Sequence, residues 1–339
     1  MKLLSSRIVV LILCVTLGVF AARPSMAAGS GKKIKIRLAH GLGPSDVASR
    51  TFEKFKELVA EETDGKIKIK IFGNAMLGTD RVVVEAVQGG AIEMAQISSA
   101  NMSNFSSAFQ AFDLPYITSP KYQANLYKAM DNGPLHDYLV KEIEAVELYP
   151  VMFPEFGYRN FVTTDRAVSD VASLGKIKMR TTSSPVEVAV AKALGMNPAP
   201  IAWGEVYTAL QQGTVEGEGN TFSLMYSTKH NEVLKHAVTS QHNYSFFILV
   251  TNAAFWKGLD PADRAVLENC SAKAMEYCRS IATQVEEEAK DGFRKSGVVI
   301  HELTDAERTE YKEKTKPVWD QFTKTIPADL IKLIQDTQS

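Results

Sequence analysis

The chain has 339 residues, 45% of them hydrophobic and 23% charged, with a formal net charge of −1. This is ordinary globular composition, long enough for two lobes with separate cores. A near-neutral balance with no basic stripe and no charged tail leaves no footprint for nucleic acid, and none is expected as a partner.

The opening "MKLLSSRIVVLILCVTLGVFAARPSMAAGS" sets Lys2 and Arg7 before an apolar run from Ile8 to about Ala22. That run is short for a spanning helix, and Ser25 and Ala27 offer small side chains for a cut after Ala27. The pattern predicts a secretory signal peptide over residues 1–27 and an exported soluble protein; an uncleaved anchor is the alternative. Cys270 and Cys278 then remain, in a strongly helical segment. Eight residues of helix separate their Cα atoms by about 12 Å, beyond the roughly 7 Å a disulfide spans. They read as small packing residues.

"KIKIRLAHG" (33–41) alternates and stops at His40-Gly41, a strand entering a loop. "SDVASRTFEKFKELVAEETDG" spaces Phe52, Phe55, Leu58 and Val59 as one helical face and ends on Gly65. "KIKIKIF" alternates again, and "DRVVVEAVQGGAIEMAQISSA" gives a helix, a Gly89-Gly90 stop and a short strand ending at Ser98-Ser99. The order β-α-β-α-β implies a largely parallel sheet flanked by helices. Next comes a helix in "KYQANLYKAM", then "VELYPVMFPEFGYRNFVTT", read as two extended segments broken by Pro150 and Pro154.

"LGKIKMRTTSSP" (174–185) is a strand that delivers Arg180 to its end and follows it with four hydroxyls. Helices are expected in "PVEVAVAKALG" and around residues 206–212, and residues 246–259 read as a buried strand passing into a turn. From about Pro261 to Lys295 the pattern is helical for more than thirty residues. Such a helix exceeds about 45 Å, enough to run across two domains. Two more helical pieces, "DAERTEYKEKTKPVWDQFTKT" and "PADLIKLIQDT", finish the chain.

Catalytic signatures are missing: no G-x-S-x-G elbow, no H-E-x-x-H, no P-loop and no paired cysteine-histidine spacing. The six histidines are scattered, with His236 and His242 the nearest to a pair. No enzyme, metal or cofactor is nominated.

"NAMLGTDRVVVEAVQGGAIEMAQISSA", "GYRNFVTT", "SLGKIKMRTTSSP" and "ALGMNPAPIAWGEVYTALQQGTVEGEGN" together resemble the solute-binding proteins of tripartite ATP-independent periplasmic (TRAP) transporters, the DctP-like family. The resemblance covers nearly the whole chain after the signal. It implies an α/β fold of two lobes, joined by crossing hinge strands and one long helix that spans both. The division expected is 28–156 plus about 246–285 for one lobe, and 157–245 plus about 286–339 for the other. It also implies a periplasmic monomer without cofactors that holds a small organic acid between the lobes and delivers it to the small and large permease subunits.

The resemblance assigns the ligand carboxylate to Arg180, and a planar guanidinium does offer a carboxylate a two-pronged fork. Ser183 belongs to the hydroxyl cluster beside it. Arg159, in "GYRNF", is either a second basic contact or a brace for its lobe. Asn220 matches the amide that family members aim at the carboxylate, although Gly219 stands where Glu or Gln is commoner. Trp203 holds the family's aromatic position before E-V-Y, as a wall for the ligand. His40, Asp80 and Ser98 fall at first-lobe pocket positions, and His40 and Ser98 also end strands where α/β crevices form. With Tyr158, Phe222 and Phe246 near Trp203, an apolar or aromatic side group on the acid is one expectation. Hydroxyl or amino recognition by His40 and Asp80, and a small dicarboxylate held by Arg159 and Arg180, stay open. A sensory binding protein presenting ligand to a receptor kinase, and an exported carboxylate-processing enzyme, are the alternative functions.

Overall fold

The computed structural model describes residues 33–339. The signal peptide expected over residues 1–27 lies outside them. The chain opens as β1 (Ile34–Ala39), α1 (Val47–Glu62), β2 (Ile67–Phe72), α2 (Asp80–Gln88) and β3 (Met94–Ser98), with β1 parallel to both β2 and β3. Alternation sets the faces: Ile67 and Ile69 of β2 turn inward while Lys68 and Lys70 are exposed. Asp46 starts α1 by accepting the amides of Ala48 (2.8 Å) and Ser49 (3.4 Å). Phe52, Phe55 and Val59 then bury the face predicted from their spacing, each aromatic ring contributing roughly 1.5–3 kcal/mol.

A short α3 (Ser99–Met102) and a 3-10 turn at Ser107–Asp113 lead to α4 (Gln123–Asp131), α5 (Pro134–Glu144) and β4 (Leu148–Met152). The two extended segments expected here are three. Pro150 lies within β4, and Pro154 separates it from β5 (Glu155–Tyr158), which is followed by β6 (Asn160–Thr163). Pro150 is tolerated because β4 ends its sheet, where a missing amide breaks no ladder on the open side.

Between β5 and β6 the chain leaves the first sheet for the second. There it forms β7 (Lys178–Thr181), α6 (Pro185–Ala193), β8 (Asn197–Pro200), α7 (Trp203–Gln211), β9 (Gly217–Asn220), α8 (Phe222–Ser227) and β10 (His236–Val238). It returns through β11 (Tyr244–Asn252), which runs antiparallel to β3, β4 and β5. The strand orders are β2-β1-β3-β11-β4, with β5 alongside β11, and β10-β6-β9-β7-β8, with β12 (Val299–His301) on the outer side of β10. After the short α9 (Ala253–Lys257) comes α10 (Pro261–Lys295). Its 35 residues extend about 52 Å and pack on α1 in the first lobe and α8 in the second. Cys270 and Cys278 are free and buried along it.

The chain ends with β12 (Val299–His301), α11 (Asp305–Phe322) and α12 (Ala328–Gln335). The expected assignment of everything past 286 to the second lobe fails for α12. While α11 packs on α6, α12 packs on α5 of the first lobe. The reason is apolar: Leu330 and Ile334 share one buried cluster with Leu135 and Leu139. That cluster continues through Phe109, Phe112 and Phe246 to Met179, Val190 and Val318, so the lobes share a core behind the cleft.

Candidate functional site

The carboxyl ends of β1 and β3 face those of β7 and β9 across a cleft. It holds a cavity of about 290 Å³ lined by Gly41, Thr79, Asp80, Asn101, Asn104, Phe105, Arg180, Ser183 and Trp203, among others. An inner recess of about 30 Å³ adds Gln96, Ser98, Phe156, Arg159, Thr182, Asn220 and Phe247.

Arg180 sits where strand alternation puts it. Ile177 and Met179 are fully buried in the core, and Arg180 turns to the other face of β7. Its Nε donates to the Ile201 carbonyl at 2.9 Å, while its plane lies over Trp203, 5.7 Å from the ring centre. Among the described residues its two terminal amino groups donate no hydrogen bond to protein. Burial pulls the guanidinium down to about 10, with Glu218, Glu187 and Asp80 opposing, and it stays charged at neutral pH.

The hydroxyls after Arg180 divide their work. Thr182 gives its amide (3.0 Å) and its hydroxyl (2.8 Å) to the Glu187 carboxylate. Ser184 starts α6 and donates to Asp113 at 2.6 Å. Ser184 thus reaches the first lobe behind the cleft, and Ser183 reaches it at the cavity, donating to Asn101 Oδ1 at 3.1 Å and accepting from Asn104 Nδ2 at 2.8 Å. The run therefore frames α6 and ties it to the first lobe, at the rim through Ser183 and behind the cleft through Ser184.

Arg159 is 1% exposed and already engaged. It donates to the Gly219 carbonyl, stands 3.4 Å from the Glu187 carboxylate and covers the Phe156 ring. Among the described residues its Nε and Nη1 have no hydrogen-bond partner, and it lines the inner recess. Asn220, paired with Asn160 across β9 and β6, donates to Glu218 at 3.0 Å.

Glu218 and His230 form a pair that spacing did not reveal. The fully buried Glu218 carboxylate binds His230 Nδ1 through one oxygen and Asn220 through the other. Burial pushes its carboxyl up, but His230, Arg180 and Asn220 together hold it below the ordinary range. The His230 ring stacks on Trp203, 4.7 Å between centres, and so fixes the wall on which Arg180 lies.

On the first lobe, Asp80 is the first residue of α2 and half-buried. It accepts from Asn101 Nδ2 at 2.9 Å and from the Ser98 amide. Burial raises its carboxyl, against those two bonds and the charge of Arg180 across the cleft. Ser98 starts α3 by accepting the Asn101 amide at 3.3 Å. Asn101 and Asn104 were not anticipated; the only cue for Asn101 is its place three residues after a serine that ends a strand.

His40 does not reach the cavity. Its ring folds back onto Phe52 (5.5 Å) beneath Gly73, and its Nδ1 accepts the Leu42 amide at 3.1 Å. Burial lowers it to about 4, so it is neutral and shapes the loop that carries Gly41. The expected aromatic surround is also different. Phe246 is buried among Phe109, Phe112 and Phe153, while Tyr158 and Phe222 line a separate cavity on the hinge side. Among the described residues, Trp203, Phe105, Phe156 and Phe247 are the aromatic rings that line the cleft cavity and its recess.

Residues 38–325 match the family model for DctP, the bacterial extracellular solute-binding protein, family 7. The C4-dicarboxylate-binding periplasmic protein DctP of Rhodobacter capsulatus is 34% identical, over 89% of this chain and 90% of that protein. The sugar acid binding protein DctPAm of Advenella mimigardefordensis, solved with galactonate, superposes with a TM-score of 0.87 at 27% identity, over 91% of this chain and 98% of that one. A TRAP periplasmic solute binding protein of Sulfurospirillum deleyianum, solved with succinate, gives 0.85 at 27% identity, over 91% and 100%.

Proposed function

Because the chain belongs to the DctP family of bacterial extracellular solute-binding proteins, we propose that it captures an organic acid between its lobes through Arg180. The loaded protein then hands the acid to the small and large permease subunits of a TRAP transporter. The observation that carries this reading is the Arg180 guanidinium: buried, still charged, anchored by one nitrogen and leaving two donors toward a cavity between the lobes. In so dry a site a carboxylate fork is far stronger than in water.

Asn220 and Thr182 complete the recess around the bound carboxylate. Arg159, neutralised by Glu187, braces β9 and lends its remaining donors to the back of the recess. The protein works in the periplasm as a monomer after loss of residues 1–27, and it performs no chemistry on the acid. Calorimetry against a panel of organic acids tests the assignment. Binding of one acid by the wild type and loss of at least about a hundredfold in Arg180→Ala is expected; equal affinity in the variant rejects it.

A further inference from the structure

Resting on that reading, we infer that the ligand is a monocarboxylate carrying a hydrogen-bond donor, hydroxyl or ammonium, at its far end, and that Asp80 selects against a second carboxylate. The charges of the cleft lead there. Two guanidiniums line the larger cavity: Arg180 is buried with its terminal amino groups uncommitted, whereas Arg81 is 76% exposed at the rim and its Nε is held by Glu85 at 2.7 Å. Arg159 already faces Glu187 and the Gly219 carbonyl, so it does not offer a second full cation.

Asp80 lines the cavity together with Arg180, but from the opposite lobe. Asn101 holds it in place through Nδ2, and the other end of that amide is taken by Ser183. The far end of an acid seated on Arg180 therefore meets the Asp80 carboxylate, beside an Arg81 that turns to Glu85 and solvent. A carboxylate placed there is repelled at close range in a half-dry site, whereas a hydroxyl or ammonium gains a charge-assisted bond.

Calorimetry on the full mature protein tests this with three arms: galactonate for hydroxyl donors, 4-aminobutanoate for a far-end ammonium, and succinate for a dicarboxylate. We expect galactonate or 4-aminobutanoate to bind at least about tenfold tighter than succinate, and the stronger of the two names the donor. Asp80→Asn is expected to weaken that ligand on the order of ten- to a hundredfold while succinate tightens. Succinate binding the wild type at least as tightly as both others overturns the inference, and this ranking decides the matter even if the variant does not fold. If that succinate affinity disappears in Arg180→Ala, the parent reading stands; if it persists, the parent reading falls as well. An unchanged preference in a folded Asp80→Asn also overturns the inference.

Discussion

Gly43 of the first lobe lies against the backbone of Ser227 in the second. A β-carbon added to Gly43 would stand 2.3 Å from the Ser227 carbonyl oxygen. Nearby, Gly41 faces the Trp203 ring and Gly204 faces Ala75, also across the cleft. The lobes meet at the mouth with little side chain between them, so closure depends on bare backbone at these positions.

Gly43→Ala is therefore expected to leave each lobe folded and to hinder their meeting. The obstacle is backbone and cannot swing aside, and overpacking of this kind costs about 1–3 kcal/mol. Ligand affinity should fall roughly ten- to a hundredfold, with a larger radius of gyration by small-angle scattering at equal ligand. Unchanged affinity and an unchanged radius would sink the idea. Gly292→Ala is the contrast: its β-carbon meets the Tyr226 ring at 2.4 Å, but Tyr226 is 41% exposed and free to turn outward.

The Glu218–His230 pair predicts a stability effect as well as a binding one. His230→Ala strands a fully buried carboxylate, a loss on the order of 3 kcal/mol, and removes the ring behind Trp203. The melting temperature and the affinity should both fall. Glu218 is held below the ordinary glutamate range, so its contribution is present above about pH 4 and is lost as pH falls through its folded value. Glu218→Gln should flatten the acid limb of the stability profile. An unchanged acid limb would show that the carboxylate is not held down.

Much of the architecture was legible because it rests on local pattern. The alternation in β1 and β2, the Phe52–Val59 face and the unbroken helical run to Lys295 each specify an element without knowledge of its neighbours. The same holds for Arg180, whose direction follows from the burial of Ile177 and Met179. His40 illustrates the limit: a strand end points to the crevice in general, yet this ring finds Phe52 and the Leu42 amide instead. Glu218 and His230 are twelve residues apart and Asn101 and Ser183 eighty-two, distances over which spacing carries no signal. The docking of α12 on α5 is likewise a matter of which apolar surface remains uncovered, and only the assembled core decides it.

Ser183 ties the rim from the second lobe to Asn101 and Asn104 of the first. These bonds lie at an exposed edge, so Ser183→Ala should cost only about 0.5–1.5 kcal/mol. Because they join the two lobes, the loss should appear as ligand release faster by roughly two- to tenfold, read by stopped-flow tryptophan fluorescence. A slower on-rate with unchanged release would assign Ser183 to encounter rather than to holding the closed state.

Asp113 joins the lobes behind the cleft. It is 1% exposed at the end of the first-lobe 3-10 turn, accepts from Ser184 at 2.6 Å and Asn243 at 3.3 Å, and shares its surroundings with Glu187. Burial, then the Glu187 charge, raise its carboxyl, and Ser184, Arg159 and Asn243 only partly oppose them. A carboxyl raised in the folded state stabilises fully below its unfolded value of about 4, and that contribution is lost as pH rises toward and through the folded one. The wild type should therefore lose stability from pH 5 to pH 8 at this site. Asp113→Asn, which mimics the protonated form, should flatten that slope and melt higher at pH 8 by on the order of 1 kcal/mol, about 2 °C for a chain this long. If the variant instead melts lower at pH 8 with the slope intact, Asp113 is ionised in the native hinge and Arg159 serves both carboxylates.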